Sequence, residues 1–307
     1  MRYLWQQETT LASPEYHRIR EIIASRRNSS DRPVNLEKFR ANMETTARDL
    51  PAEVDGTMID AGGVPAELQV TQDAATENLI IYFHGGGYIG GSIATHRNLT
   101  GHLALRSRYG VLSVEYRLAP EHAHPAAVED AVTSYQWALA NGYEPENIAL
   151  AGDSAGGGLT AACLIDLRNK QLPLPAAAVL ISPWLDMSLT GESMVTNDEK
   201  DSSISAISMP RTRELFISED QMKDPLASPL EADLGGLPPL LLQVGDEEIL
   251  LSDSERFSEK ATTSGVDVEL RIWPEMFHVW HACVGLFEEA SLAIDEMTQF
   301  IWEKTNS

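Results

Sequence analysis

At 307 residues the chain can build one large α/β domain carrying an insertion, or two small domains. Its composition, 43% hydrophobic and 22% charged, is that of an ordinary globular protein, and it contains no apolar run long enough to span a membrane. The formal net charge of −23, from 46 acidic and 23 basic residues, repels phosphate backbones; it argues against a nucleic-acid partner and favours a neutral substrate over an anionic one.

The first residues, from Met1 to Glu8, lack the apolar core of a signal peptide, so a cytoplasmic location is the expectation. Ser13 followed by Pro14 reads as an N-cap and first helical residue, with Tyr16, Ile19 and Ile23 on one face. Asn35 caps a second predicted helix with the stripe Leu36, Phe39, Met43 and Leu50. Residues 1–50 are thus a helical pair that must bury its stripes on something else.

From residue 51 the pattern alternates. A hairpin at Gly62-Gly63 leads to a buried strand over 79–83, a helix over 96–108, a strand over 111–114 and a helix over 126–140. A strand over 148–151 runs directly into Gly152, a helix follows to Asn169, and 177–181 is another apolar strand. Residues 185–235 break the series: they are polar, rich in Met and Ser, and suit a lid inserted between the first part of the core (51–184) and the second (236–307). Strands over 240–244 and 266–270 resume it, and the last helix carries Val284, Phe287, Ile294, Met297 and Ile301 on one side. Such alternation predicts an α/β fold with a mostly parallel sheet covered on both faces. The two cysteines, Cys163 and Cys283, have no Cys or His at zinc-like spacing; inert packing is expected of both, and no metal.

The sequence Gly152-Asp153-Ser154-Ala155-Gly156 satisfies G-x-S-x-G between a buried strand and a helix. A tight turn there pushes the Ser154 hydroxyl clear of the sheet, and the helix N-terminus favours a developing oxyanion. The run His84-Gly85-Gly86-Gly87-Tyr88 follows an earlier strand. Two amides from among Gly85, Gly86 and Gly87, with that of Ala155, are candidates for an oxyanion hole, while His84 braces the loop. A base must then come from the C-terminal part: His278 stands in the turn after a strand, with His281 as the nearby alternative. Its acid should lie after the strand over 240–244, where Asp246, Glu247 and Glu248 all qualify. Downstream, Ser252 and Glu255 have capping-box spacing, which gives Asp253 and Glu255 a structural reading.

Two rival readings use the same residues. Gly85, Gly87 and Gly90 satisfy G-x-G-x-x-G, with Glu115 closing the next strand, as in a dinucleotide-binding oxidoreductase. However, Gly91 to Ala94 separate those glycines from the expected helix. The other rival is a ligand-binding protein on the same fold that has lost hydrolysis.

The His84-Gly85-Gly86-Gly87 and Gly152-Asp153-Ser154-Ala155-Gly156 motifs, with Tyr116-Arg117-Leu118-Ala119-Pro120-Glu121, Pro125 and Glu129-Asp130-Ala131, resemble the hormone-sensitive-lipase-like branch of bacterial esterases. The resemblance runs from about residue 79 to 285. It implies an α/β-hydrolase core under a helical cap made of the N-terminal segment and the insertion, short-acyl carboxylic ester substrates, and no cofactor. The family's acid commonly stands in Asp-Pro-Leu; the register that keeps the leucine gives Glu248-Ile249-Leu250, so the resemblance assigns the acid to Glu248, with Asp246 as the alternative. A homodimer through an edge strand would fit the fold.

Overall fold

Strands that are apolar on every residue need cover on both faces, and the computed structural model, which describes residues 12–27 and 32–306, supplies it. Eight strands form one sheet: β1 (Val54–Asp60), β2 (Pro65–Thr71), β3 (Ala75–Phe83), β4 (Tyr109–Val114), β5 (Ile148–Asp153), β6 (Ala177–Ile181), β7 (Leu240–Gly245) and β8 (Val268–Trp273). Their order is β1-β2-β4-β3-β5-β6-β7-β8. β1 and β2 form the antiparallel hairpin, β2 runs antiparallel to β4, and the rest are parallel. This is the α/β-hydrolase architecture.

The helices are α1 (Pro14–Ala24), α2 (Leu36–Glu44), α3 (Ile93–Ser107), α4 (Ala126–Ala140), α5 (Ala155–Asn169), α6 (Ser193–Thr196), α7 (Met209–Phe216), α8 (Leu251–Thr263) and α9 (Glu288–Thr305). Strand alternation divides the core. Leu79, Ile81 and Phe83 of β3 face α4, α5 and α8, whereas Ile80 and Tyr82 face α3 and α9. Parallel strands bring their C-terminal ends to one edge, and the register aligns Phe83 with Gly152, Asp153 with Ile181, and Gly245 with Trp273. The loops after β3, β5, β6, β7 and β8 therefore converge, which is where an open α/β sheet presents its ligand.

The helical segments outside the sheet lie against those loops. Ser13 caps α1, and the buried Tyr16 of α1 packs its ring on Phe277 and Phe287, 5.5 Å from each. Asn35 caps α2 through the Lys38 amide. Residues 185–235 hold α6, α7 and short 3-10 turns, and no strand among the described residues. The stretch Met1 to Glu8 lies outside the described residues. Among those that are described, no helix is long and apolar enough to cross a membrane.

Several boundaries differ from the sequence expectation. Helix α3 begins at Ile93, because Ser92 and Thr95 form a capping box. Leu50 lies beyond the end of α2, and Val284 and Phe287 precede α9; all three still pack inward as loop residues. The last strand is Val268–Trp273, slightly later than expected. Ser252 and Glu255 form no capping box: the Ser252 hydroxyl and amide instead pair with the Ser193 amide and hydroxyl. Asp253 is structural. Its carboxylate, pushed up to about 7 by burial, accepts the amides of Leu185 and Asp186.

Candidate active site

β5 is buried throughout and ends in the Ser154 turn, where the backbone takes φ 55° and ψ −119°. A residue with a side chain is strained there, and the surroundings hold it: the Ser154 amide donates to Ile181 O at 2.8 Å, and its carbonyl accepts Gly158 N and Trp184 N, both at 3.0 Å. Glycine is required on either side. A Cβ at Gly152 would collide with Gly156 O, and one at Gly156 with Phe83 O.

The Ser154 hydroxyl lies 2.9 Å from His278 Nε2, and His278 Nδ1 lies 2.8 Å from Glu248 Oε2. Glu248 is fully buried, and its second oxygen accepts the Gly245 amide at 2.6 Å and the Ser182 hydroxyl at 2.7 Å. Both carboxylate oxygens are thus committed, which fixes the imidazole tautomer and plane. Burial alone would push the His278 pKa down. The hydrogen bond and charge of Glu248, with the charges of Asp201 and Asp153, outweigh it and hold the imidazole above its ordinary value.

The other acids of that turn do different work. Asp246 is exposed and accepts the Glu275 amide at 2.7 Å, bracing the turn before His278. Glu247 forms an ion pair with Arg20 of α1. His281 is held 2.9 Å from Gln243 Oε1, and burial pushes its pKa down to about 3.

In the glycine loop, the Gly85 amide donates to Asp153 Oδ1 at 3.0 Å. The amides of Gly86, Gly87 and Ala155 donate to no protein atom among the described residues. Gly86 takes φ 123°, and a Cβ there would collide with Gly90 O. His84 stacks on Tyr116 with ring centroids 4.3 Å apart, and the Tyr116 hydroxyl donates to His84 O at 2.6 Å. Burial, helped by His96, pushes the His84 pKa down to about 3; it braces the loop as a neutral ring.

Glu115, the acid a dinucleotide fingerprint would turn toward a ribose, accepts the Ile93 amide at 2.8 Å and so occupies the start of α3. Among the described residues no group of three His, Cys, Asp or Glu is arranged to hold a metal ion. Cys163 and Cys283 are both free thiols with pKa values raised by burial.

Sequence reasoning missed Ser182, Asn197 and Asp201. Ser182 donates to Glu248 and accepts the Val279 amide at 3.2 Å, tying Glu248 to the residue after His278. Its signal was its place at the end of β6, between the strands that carry Ser154 and Glu248. Asn197 donates to the carbonyls of Asp246 and Glu248 from the insertion, and nothing in its local sequence announces this.

The fold and sequence have close counterparts. A family model described as the alpha/beta hydrolase fold matches residues 80–282. An acetyl-hydrolase of Streptomyces hygroscopicus is 39% identical over 296 residues, covering 95% of this chain and 97% of that protein. Among solved structures, an esterase from the bacterial hormone-sensitive lipase family superposes with a TM-score of 0.92 at 41% identity, covering 96% of this chain and 100% of that one. The esterase EstE5, from a crystal soaked with p-nitrophenyl butyrate, gives 0.93 at 38% identity with the same coverage.

Proposed function

The chain belongs to the hormone-sensitive-lipase-like esterases of the α/β-hydrolase fold, and from that membership we propose that it cleaves short-acyl carboxylic esters through an acyl-enzyme on Ser154. It is a carboxylesterase, which leaves the reading of a silent ligand-binding protein without support. The observation that carries the assignment of residues is the unbroken chain from Ser154 Oγ through His278 to the buried Glu248, at 2.9 and 2.8 Å.

In this reading His278 Nε2 takes the proton from Ser154 Oγ as the oxygen attacks the ester carbonyl. The negative charge on the former carbonyl oxygen rests on the amides of Gly86, Gly87 and Ala155, because the Gly85 amide is committed to Asp153. The imidazolium, held by Glu248, protonates the leaving alcohol. Water then attacks the acyl-enzyme by the same route, restoring Ser154. Glu248 serves as the acid in preference to Asp246, whose carboxylate braces Glu275.

The short-acyl preference draws support from the relatives, one named an acetyl-hydrolase and another soaked with a butyrate ester. We take residues 1–50 and 185–235 as a cap over the core. What supports this is the packing of Phe39 and Met43 beside Gly90 and of Thr212 beside Gly87. Two free thiols fit a reducing cytoplasm, and the −23 charge fits a neutral ester.

An organophosphate should label the wild-type protein at Ser154 and stop ester turnover in step with labelling. Label on another residue, or turnover that survives full labelling of Ser154, would sink the assignment. A series of p-nitrophenyl esters from acetate to palmitate should peak at short chains; a peak at the long end would overturn the acyl preference.

A further inference from the structure

The turn that presents Glu248 is gripped from the insertion. Asn197 and Asp201 are 4% and 1% exposed, and the Asp201 amide donates to Asn197 O at 2.8 Å. Asn197 Nδ2 donates to the carbonyls of Asp246 and Glu248, both at 3.0 Å. Asp201 Oδ2 accepts the amide of Ile249 at 3.0 Å, and its Oδ1 accepts those of Ser203 and Ile204 at 2.9 and 3.1 Å. The backbone on both sides of Glu248 is thereby fixed by two side chains that belong to the insertion rather than to the sheet.

An asparagine could not take this place: it has one acceptor oxygen, and its NH2 would face an amide donor either at Ile249 or at Ser203 and Ile204, so amides on both sides call for a carboxylate. We propose that Asp201 is a positioning residue for the catalytic triad: it holds the Glu248 turn through the Ile249 amide and adds a second buried negative charge in favour of the imidazolium at His278. The inference rests on the triad reading given above. Three backbone amides on one carboxylate favour its ionised form. Burial opposes that and raises the Asp201 pKa, with the charge of His278 lowering it and that of Glu248 raising it.

The titratable groups that act on His278 are Glu248, Asp201 and Asp153, together with His281, which stays neutral. Glu248 is in contact; Asp153 is tied to Tyr82 and Gly85 behind the glycine loop. Asp201 is the only one of these acids contributed by the insertion. A negative charge near the imidazole raises its pKa, so removing that charge lowers it. Since the neutral imidazole is the base, the acid limb of kcat/KM should then move to lower pH. The plateau kcat should fall at the same time, because the imidazolium of the transition state has lost a partner.

The experiment is the pH profile of p-nitrophenyl butyrate hydrolysis by Asp201→Asn, Asp201→Glu and Asn197→Ala. Asp201→Asn should move the acid limb down by up to about one unit, with kcat lowered roughly tenfold and KM little changed. Asn197→Ala loosens the same turn without touching a charge; it should lower kcat and leave the limb in place. Asp201→Glu retains the charge and should keep the wild-type limb, an arm that stands even if Asp201→Asn does not fold. A limb unmoved in Asp201→Asn overturns the proposal, and so does a limb displaced equally in Asn197→Ala or in Asp201→Glu. Ser154→Ala and Glu248→Gln run alongside: near-normal turnover in those would sink the triad itself, whereas their collapse beside a wild-type limb in Asp201→Asn would sink only the role of Asp201.

Discussion

The sheet edge that carries the site and the helices laid over it are held by different forces. Every residue of β5, β6 and β7 is buried, and the polar atoms at their ends bond to one another: Ser154 to His278, Ser182 and Gly245 to Glu248. By contrast, α1 has one buried residue, Tyr16, and α2 has none. Those helices are held by arginines, with Arg20 on Glu247 and Arg40 on Glu121, by the Tyr16 ring, and by half-buried side chains such as Ile19 and Phe39. The lesson is a division of labour. Changes at the sheet edge should appear in kcat with the fold intact, and changes in the covering, apart from Asn197 and Asp201 that grip the Glu248 turn, should appear in stability with kcat largely kept.

Ser154→Ala is the sharpest test of the first half. It should lower kcat on the order of a million-fold, as loss of the nucleophile does in the best-studied serine hydrolase. The thermal midpoint should hold within a few degrees, because the variant removes one hydroxyl and keeps the Cβ that the strained backbone already carries. Assay of purified, folded protein checks both. A loss of only tenfold would mean that the nucleophile lies elsewhere.

Next in size is the contrast between two acids in one turn. Glu248→Gln should cost on the order of ten-thousand-fold in kcat, since an amide can present the wrong partner to His278 Nδ1. Asp246→Asn keeps an acceptor for the Glu275 amide and should cost less than about tenfold. The pH profile adds a second readout. His278 is held above its ordinary value chiefly because Glu248 outweighs the effect of burial. The wild-type kcat/KM should therefore fall on acidification with an apparent pKa above about 6.5, and residual activity in Glu248→Gln should persist to lower pH. An inverted ranking of the two variants would exchange their roles.

How much of this was readable beforehand follows the same divide. Strand ends were legible: continuous apolar runs marked β5, β6 and β7, and a strand flowing into G-x-S-x-G placed Ser154. His278 followed from chain order. The carboxylate that meets His278 was not legible from its residues, since Asp246, Glu247 and Glu248 are neighbours of one chemistry; the family resemblance singled out Glu248, which alone among them is fully buried. Asn197 and Asp201 could not be read because each meets its partner across 48 to 51 residues through backbone atoms, whereas Ser182 had only its place at the end of β6 to mark it. Helix ends failed for a related reason. Leu50, Val284 and Phe287 continue an apolar rhythm past the helix because a loop over a core must also face inward.

Phe216→Ala probes the covering where it is most tightly packed. Phe216 of α7 is 2% exposed and stacks on Tyr88 of the glycine loop, with ring centroids 3.8 Å apart and planes 4° apart. Removing the ring should cost about 3 kcal/mol in chemical denaturation, the low end for a buried aromatic, since a surface insertion can partly collapse. With the division of labour intact, kcat stays within about tenfold. A much larger loss would mean that Tyr88 needs its partner to hold the glycine loop.

The smallest expected effect bears hardest on the comparison, because Arg40 touches both regions. Its guanidinium donates to Ile89 O at 2.7 Å and to Ala119 O at 2.9 Å, and it forks onto both oxygens of Glu121 at 2.8 and 2.7 Å. The Glu121 carboxylate is half exposed, so solvent and salt screen that pair and it contributes little. The two carbonyls are different: they belong to loops of the core, and only a planar fork reaches them together with the acid. Glu121→Gln should therefore leave the melting temperature almost unchanged, while Arg40→Lys should lower it by about 2–4 °C, the equivalent of roughly 1 kcal/mol. Both should keep kcat within about twofold, and high salt, which screens only the ion pair, should leave the loss in Arg40→Lys largely in place. A tenfold loss of kcat in Arg40→Lys at unchanged stability would break the division, since α2 would then be holding Ile89, and with it the glycine loop, in working order.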